Sequence, residues 1–149
     1  MRGLRPLLYI EEFIMADAVA SQTLYDGERV AIMKFTDLSD GTGENKVLKV
    51  DVSALNPSAS GKACNGVTIT KIHASTHGME VLIYWDATTD VFCWAVPQNS
   101  QYTWDWTQFG GLINNAGTGK TGDVLFSTAD ASAGDFYTIV LEMVKTYAS

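Results

Sequence analysis

The sequence predicts an all-β protein, an antiparallel β-sandwich or jelly roll of about eight or nine strands. Three observations carry that expectation. β-Branched residues are abundant, with 15 Thr, 12 Val and 8 Ile, and such residues favour pleated, half-buried surfaces. Apolar and polar residues alternate with period two along several short runs. Turns rich in Gly, Asn and Asp separate those runs at intervals of roughly eight to twelve residues. With 149 residues the chain has the length of one domain. A core of that size removes roughly two-thirds of the unfolded surface from water without help from a metal or disulfide.

The runs follow one another in a clear order. Arg29–Leu38 (RVAIMKFTDL) is apolar on both faces, as expected of a central strand. SDGTGEN follows, with Asp40-Gly41 and Gly43 supplying the positive-φ positions of a hairpin loop. Lys46–Val52 alternates, with Leu48, Val50 and Val52 on one face and Lys49 and Asp51 on a wet one. Gly66–Ile72 and Glu80–Asp86 read as strands joined by the polar connection HASTHG, and Ala87–Asp90 turns the chain into Val91–Val96. Together these runs predict a meander of neighbouring strands. Pro97 ends it, because proline cannot donate to a ladder. Gln101–Phe109 alternates again, Gly110–Gly122 is a long connection, and Gly122–Thr128 is a strand. Phe136–Tyr147 is long enough for a helix. Its β-branched and aromatic content and the alternation of Tyr137, Ile139, Leu141 and Met143 favour a strand.

No apolar run approaches the roughly 20 residues that span a bilayer, so the expectation is a soluble protein with no membrane partner. Residues 1–14 (MRGLRPLLYIEEFI) begin like a signal peptide, but Glu11 and Glu12 interrupt the apolar stretch. They are read as an N-terminal extension, most simply an over-called start ahead of Met15, with a single domain over 15–149. The net charge of −7 argues against a nucleic-acid binder, which neutralises phosphates with clustered Lys and Arg. Cys64 and Cys93 are too few for a disulfide framework and match no zinc spacing, although a bridge between them stays open.

No catalytic constellation stands out. Gly117–Gly122 (GTGKTG) imitates a phosphate-binding loop, but Asn114 stands where the first glycine belongs and a strand follows where a helix is needed. His73 and His77 lack further ligands or a nucleophile nearby in sequence. Asp37–Asn45 has a calcium loop's composition without its spacing, while Asp123, Asp130 and Asp135 lie near the last two strands as a weaker calcium option. The reading is therefore no enzyme, no cofactor and no metal. Tyr102, Trp104 and Trp106 are the most suggestive group. At spacing two they would share a strand face, as core, as a protein interface, or as a flat platform for stacking on sugars.

Three stretches carry a family resemblance: Ser21–Glu44 (SQTLYDGERVAIMKFTDLSDGTGE), Lys49–Pro57 (KVDVSALNP) and Gly110–Lys145 (GGLINNAGTGKTGDVLFSTADASAGDFYTIVLEMVK). In these the sequence resembles small virion structural proteins of tailed bacteriophages, most of all capsid decoration or cement proteins. The resemblance implies a non-enzymatic particle component made in the host bacterial cytoplasm and carried on the capsid exterior. Its implied partner is the major capsid protein, and self-association is expected, with a trimer as one closed form. A neck or tail position and a carbohydrate-binding module are the alternatives.

Overall fold

A computed structural model describes residues 17–149; the extension 1–14 and Met15 lie outside the described residues. Nine strands run in chain order: β1 (Ala18–Asp26), β2 (Val30–Asp40), β3 (Val47–Val50), β4 (Cys64–His77), β5 (Glu80–Trp85), β6 (Val91–Val96), β7 (Gln101–Asp105), β8 (Val124–Ala129) and β9 (Ala133–Tyr147). They form two antiparallel sheets, β1-β2-β9-β4-β7 and β3-β8-β5-β6. The all-β sandwich is as the sequence predicts.

The order has a simple logic. Four antiparallel pairs nest inside one another: β2 with β9, β3 with β8, β4 with β7, and β5 with β6. Consecutive pairs alternate between the sheets, so strands β2–β9 wind as one long hairpin rolled upon itself, the jelly-roll order. β1 is an addition outside those eight, appended to the free side of β2.

The core lies between the sheets and is built by period-two alternation. Phe35 of β2 meets Phe126 of β8 edge to face at 5.2 Å, and Phe126 meets Tyr137 of β9 at 5.9 Å. Such aromatic pairs contribute about 0.5–1.5 kcal/mol beyond their area. Ile139, Leu141 and Met143 continue the inward face of β9 and are fully buried. Phe136–Tyr147 is thus a strand, and it lies inside its sheet between β2 and β4.

Several expectations are corrected. The predicted meander does not exist as such, because β4 and β5 belong to different sheets. HASTH is not a connection but the second half of β4, in which Ala74 and Thr76 point inward. Thr76 is tolerated there because its hydroxyl donates to the Pro97 carbonyl at 2.7 Å and accepts from the Ser100 amide. Gly78 and Met79 make the turn, Gly78 with φ of 77° and the Asp135 carboxylate packed where a Cβ would sit. The SDGTGEN segment likewise crosses between sheets, since β2 and β3 are not neighbours. Gln101–Phe109 stops being a strand at Asp105, whose carboxylate accepts the Thr107 amide and hydroxyl and folds Thr107–Phe109 into a 3-10 turn. Cys64 opens β4 and is buried; Cys64 and Cys93 are both free thiols, with no bridge between them.

The wet face assigned to Lys49 is also wrong. A register shift between Leu48 and Val50 leaves Leu48 exposed and buries Lys49.

Candidate interaction surface

The aromatic stripe does not form a flat row. β7 is an edge strand, and Tyr102 on it is 62% exposed, while Trp106, beyond the end of the strand, is only 9% exposed. Trp104 and Trp106 pack edge to face on Trp94 of β6, at 6.0 and 4.7 Å. These indoles join the lateral margins of the two sheets, because β6 and β7 are the end strands there. Tyr102 stands on Trp104 at 63° between ring planes. A sugar platform needs parallel exposed faces; this geometry offers one exposed phenol.

Large exposed apolar side chains gather elsewhere, at two opposite margins. On the β1 side, Val19, Leu24, Tyr25, Leu38 and Phe136 are exposed. Part of this margin is a shallow groove of about 460 Å³ lined by Ala18, Val19, Ala20, Thr36, Leu38 and Phe136. At the β6 margin, Phe92, Phe109 and Ile113 are exposed around a second depression of about 410 Å³ that Cys93 and Leu112 also line. Burial pushes the Cys93 thiol up to about 12, so it stays protonated and unreactive at neutral pH.

Beneath the β1 margin lies a buried acidic network that sequence reading missed. Asp37 is 1% exposed, with neither carboxylate oxygen bonded among the described residues. Burial raises its pKa to about 7, reinforced by the charges of Glu44 and Asp17 and opposed by Lys49. Asp17, whose Oδ2 is likewise buried without a partner among the described residues, accepts the Asp40 amide at 3.0 Å through Oδ1. Glu44 is paired with the Lys49 ammonium at 2.5 Å and accepts the Tyr137 hydroxyl at 2.6 Å. The available signal was parity: Asp37 sits on the same side of β2 as Phe35 and Ser39. At the other end of β1, buried Lys145 binds the Asp26 carboxylate and the carbonyls of Gly27 and Asn56, which anchors the β1–β2 turn.

The remaining motifs serve the fold. His73 bonds Glu142 at 2.6 Å and Thr103 at 3.0 Å from mid-strand, and His77 stacks on Phe136. Asp123 accepts the Val52 amide, Asp135 accepts the Ser132 amide, and Asp130 occupies a positive-φ turn. Among the described residues, no three His, Cys, Asp or Glu side chains are grouped to hold a metal ion. In GTGKTG the Gly122 Cα lies against the Asn65 carbonyl, packed as a turn. No helix of the described residues is long and apolar enough to cross a membrane.

Comparison with known proteins returns nothing to set beside this geometry: no family model, curated protein or solved structure matches the chain.

Proposed function

We propose that this chain is a non-enzymatic structural protein of a tailed-bacteriophage virion, a decoration or cement protein that binds the outer shell and bridges neighbouring capsid subunits. The observation that carries this reading is the pair of exposed apolar margins on opposite sides of one nested β body. A bridge needs two separated contact surfaces held at a fixed distance, and a sandwich with few free hinges holds them so. Each contact of about 800 Å² per partner is modest, but engaging two subunits at once multiplies affinity through effective concentration. The family resemblance of Ser21–Glu44 and Gly110–Lys145 supports the same reading. So does the charge of −7, which is repelled by packaged DNA and suits an exterior position. Self-association is part of the proposal.

The test is cosedimentation with expanded, undecorated phage shells. The reading requires the protein to pellet with the shells at a saturable ratio of hundreds of copies per particle. Protein that stays in the supernatant contradicts it, and binding at a few copies per particle moves the role to the neck or tail.

A further inference from the structure

We infer that β1 is a latched strand whose release at the Asp17 end becomes easier as pH rises to neutrality, with Asp37 as the group that senses the change. The device belongs to the chain alone. On the proposed function it makes the β1 margin a contact that loosens as pH rises, and it holds whatever that margin binds.

β1 stands outside the eight-strand roll and pairs with β2 alone. Its residues are exposed from Ala18 to Tyr25, so apolar burial adds little to that ladder. A bulge at Leu24 interrupts the ladder itself. The strand is fastened at its two ends. At the Asp26 end the Lys145 ammonium ties the Asp26 carboxylate to the carbonyls of Gly27 and Asn56. Opposite charges make that fastening, and neither changes near neutrality. At the other end Asp17 accepts the Asp40 amide at 3.0 Å through Oδ1, and its Oδ2 is buried with no partner among the described residues.

Carboxylates meet at this second end. Asp37, the cross-strand neighbour of Val19, is 1% exposed, and neither of its oxygens is bonded among the described residues. The titratable and charged groups around it are Asp17 ahead of β1, Glu44 in the β2–β3 connection, Lys49 on β3 and Tyr137 on β9, with Asp40 of β2 on the far side of Asp17. Glu44 engages both the Lys49 ammonium and the Tyr137 hydroxyl, and Asp40 is taken by the Thr42 amide. Among the described residues, then, no cation or donor is left over for Asp37, while Glu44 and Asp17 press on it with like charge. An ionised carboxylate held there is costly unless water reaches it. The part of its cover that can move is the start of β1: lifting Asp17–Val19 off β2 opens Asp37 to solvent and parts it from Asp17. While β1 is latched, Asp37 ionises at about 7; once β1 is lifted, it returns toward the ordinary 3.8. Opening is therefore insensitive to pH below about 4, becomes progressively easier from about 4 to about 7, and levels off above.

The experiment is amide hydrogen exchange on the full chain, without shells, at about pH 5 and about pH 8, each rate corrected for the intrinsic rate at that pH. Wild type, Asp37→Asn and Asp17→Asn are compared, and circular dichroism checks that each keeps its fold. In the wild type the Ala18–Thr23 amides are expected to be less protected than those of β9 at both pH values, the mark of a separate opening. Their protection is expected to fall about ten- to hundred-fold from the lower pH to the higher. Asp37→Asn is expected to abolish that fall, and Asp17→Asn, which takes one like charge from the latch, to reduce it. Three results overturn the inference: β1 amides as protected as those of β9, protection of β1 that does not change with pH, or a fall that persists undiminished in both variants. Shell binding is measured separately, so failure here leaves the proposed function standing and failure there leaves the latch.

Discussion

Asp37→Asn tests the buried acidic network through pH. In the folded chain the carboxyl of Asp37 titrates at about 7 against an ordinary 3.8. The neutral form is therefore the one the fold prefers. Its stabilising contribution is complete below the unfolded pKa and is lost as pH rises through the folded one, across a window from about 4 to about 7. Three units at about 1.36 kcal/mol each bound the loss at about 4 kcal/mol, and relaxation around the site reduces it to about 2–4 kcal/mol. Asparagine cannot ionise and has nearly the same volume, so it removes the loss without leaving a cavity. Urea unfolding of both proteins from about pH 5 to about pH 8 measures the difference. The stability of Asp37→Asn relative to wild type is expected to rise with pH, gaining about 1–3 kcal/mol across that range, because part of the loss is already complete by about pH 5. A difference that stays flat with pH would refute the buried-carboxyl reasoning, and one that falls would reverse its sign.

Other consequences are read by the same unfolding assay. Lys145→Met leaves the Asp26 carboxylate and two carbonyls without their buried partner, and should cost about 3 kcal/mol; a loss under about 1 kcal/mol would mean that water replaces the ammonium. Phe35→Ala removes a fully buried ring from the aromatic contact between sheets and should cost about 3–5 kcal/mol. Trp106→Ala should cost about 3 kcal/mol or more, while Tyr102→Ala, at an exposed edge position, should stay within about 0.5 kcal/mol of wild type. Equal losses at Tyr102 and Trp106 would contradict the split between closing the margin and standing outside it.

Elements whose two faces differ were legible in the sequence. β9 alternates without exception over its inward residues, and the β5–β6 hairpin is fixed by the Ala87–Asp90 turn, where Asp90 accepts the Ala87 amide. β1 went unread because neither face is buried, so AVASQTLYD has no contrast for a period to reveal. The second half of β4 was hidden by its inward Thr76, whose hydroxyl is satisfied by residues beyond β6. Asp37 and Lys49 each invert the rule that charge faces water: Lys49 is neutralised by nearby Glu44, and burial holds Asp37 toward its neutral form. The nested pairing was invisible because β2 recognises β9 across the whole domain, and no local pattern records it.

The candidate surface was half legible. Spacing marked Tyr102, Trp104 and Trp106 as a group, and the three do lie together. The turn imposed by Asp105 then carries Trp106 off the strand line and into the margin. The apolar margins at β1 and β6 had no sequence signature, since an exposed Leu or Phe reads like a buried one until the sheets are assembled.

Imaging the virions assembled from the genome that encodes this chain tests the central claim most directly. The account predicts nine-stranded sandwiches in hundreds of copies on the outer surface of the shell, each touching more than one capsid subunit. Particles whose shells carry none of it, or a site inside the shell against the DNA, would contradict the account.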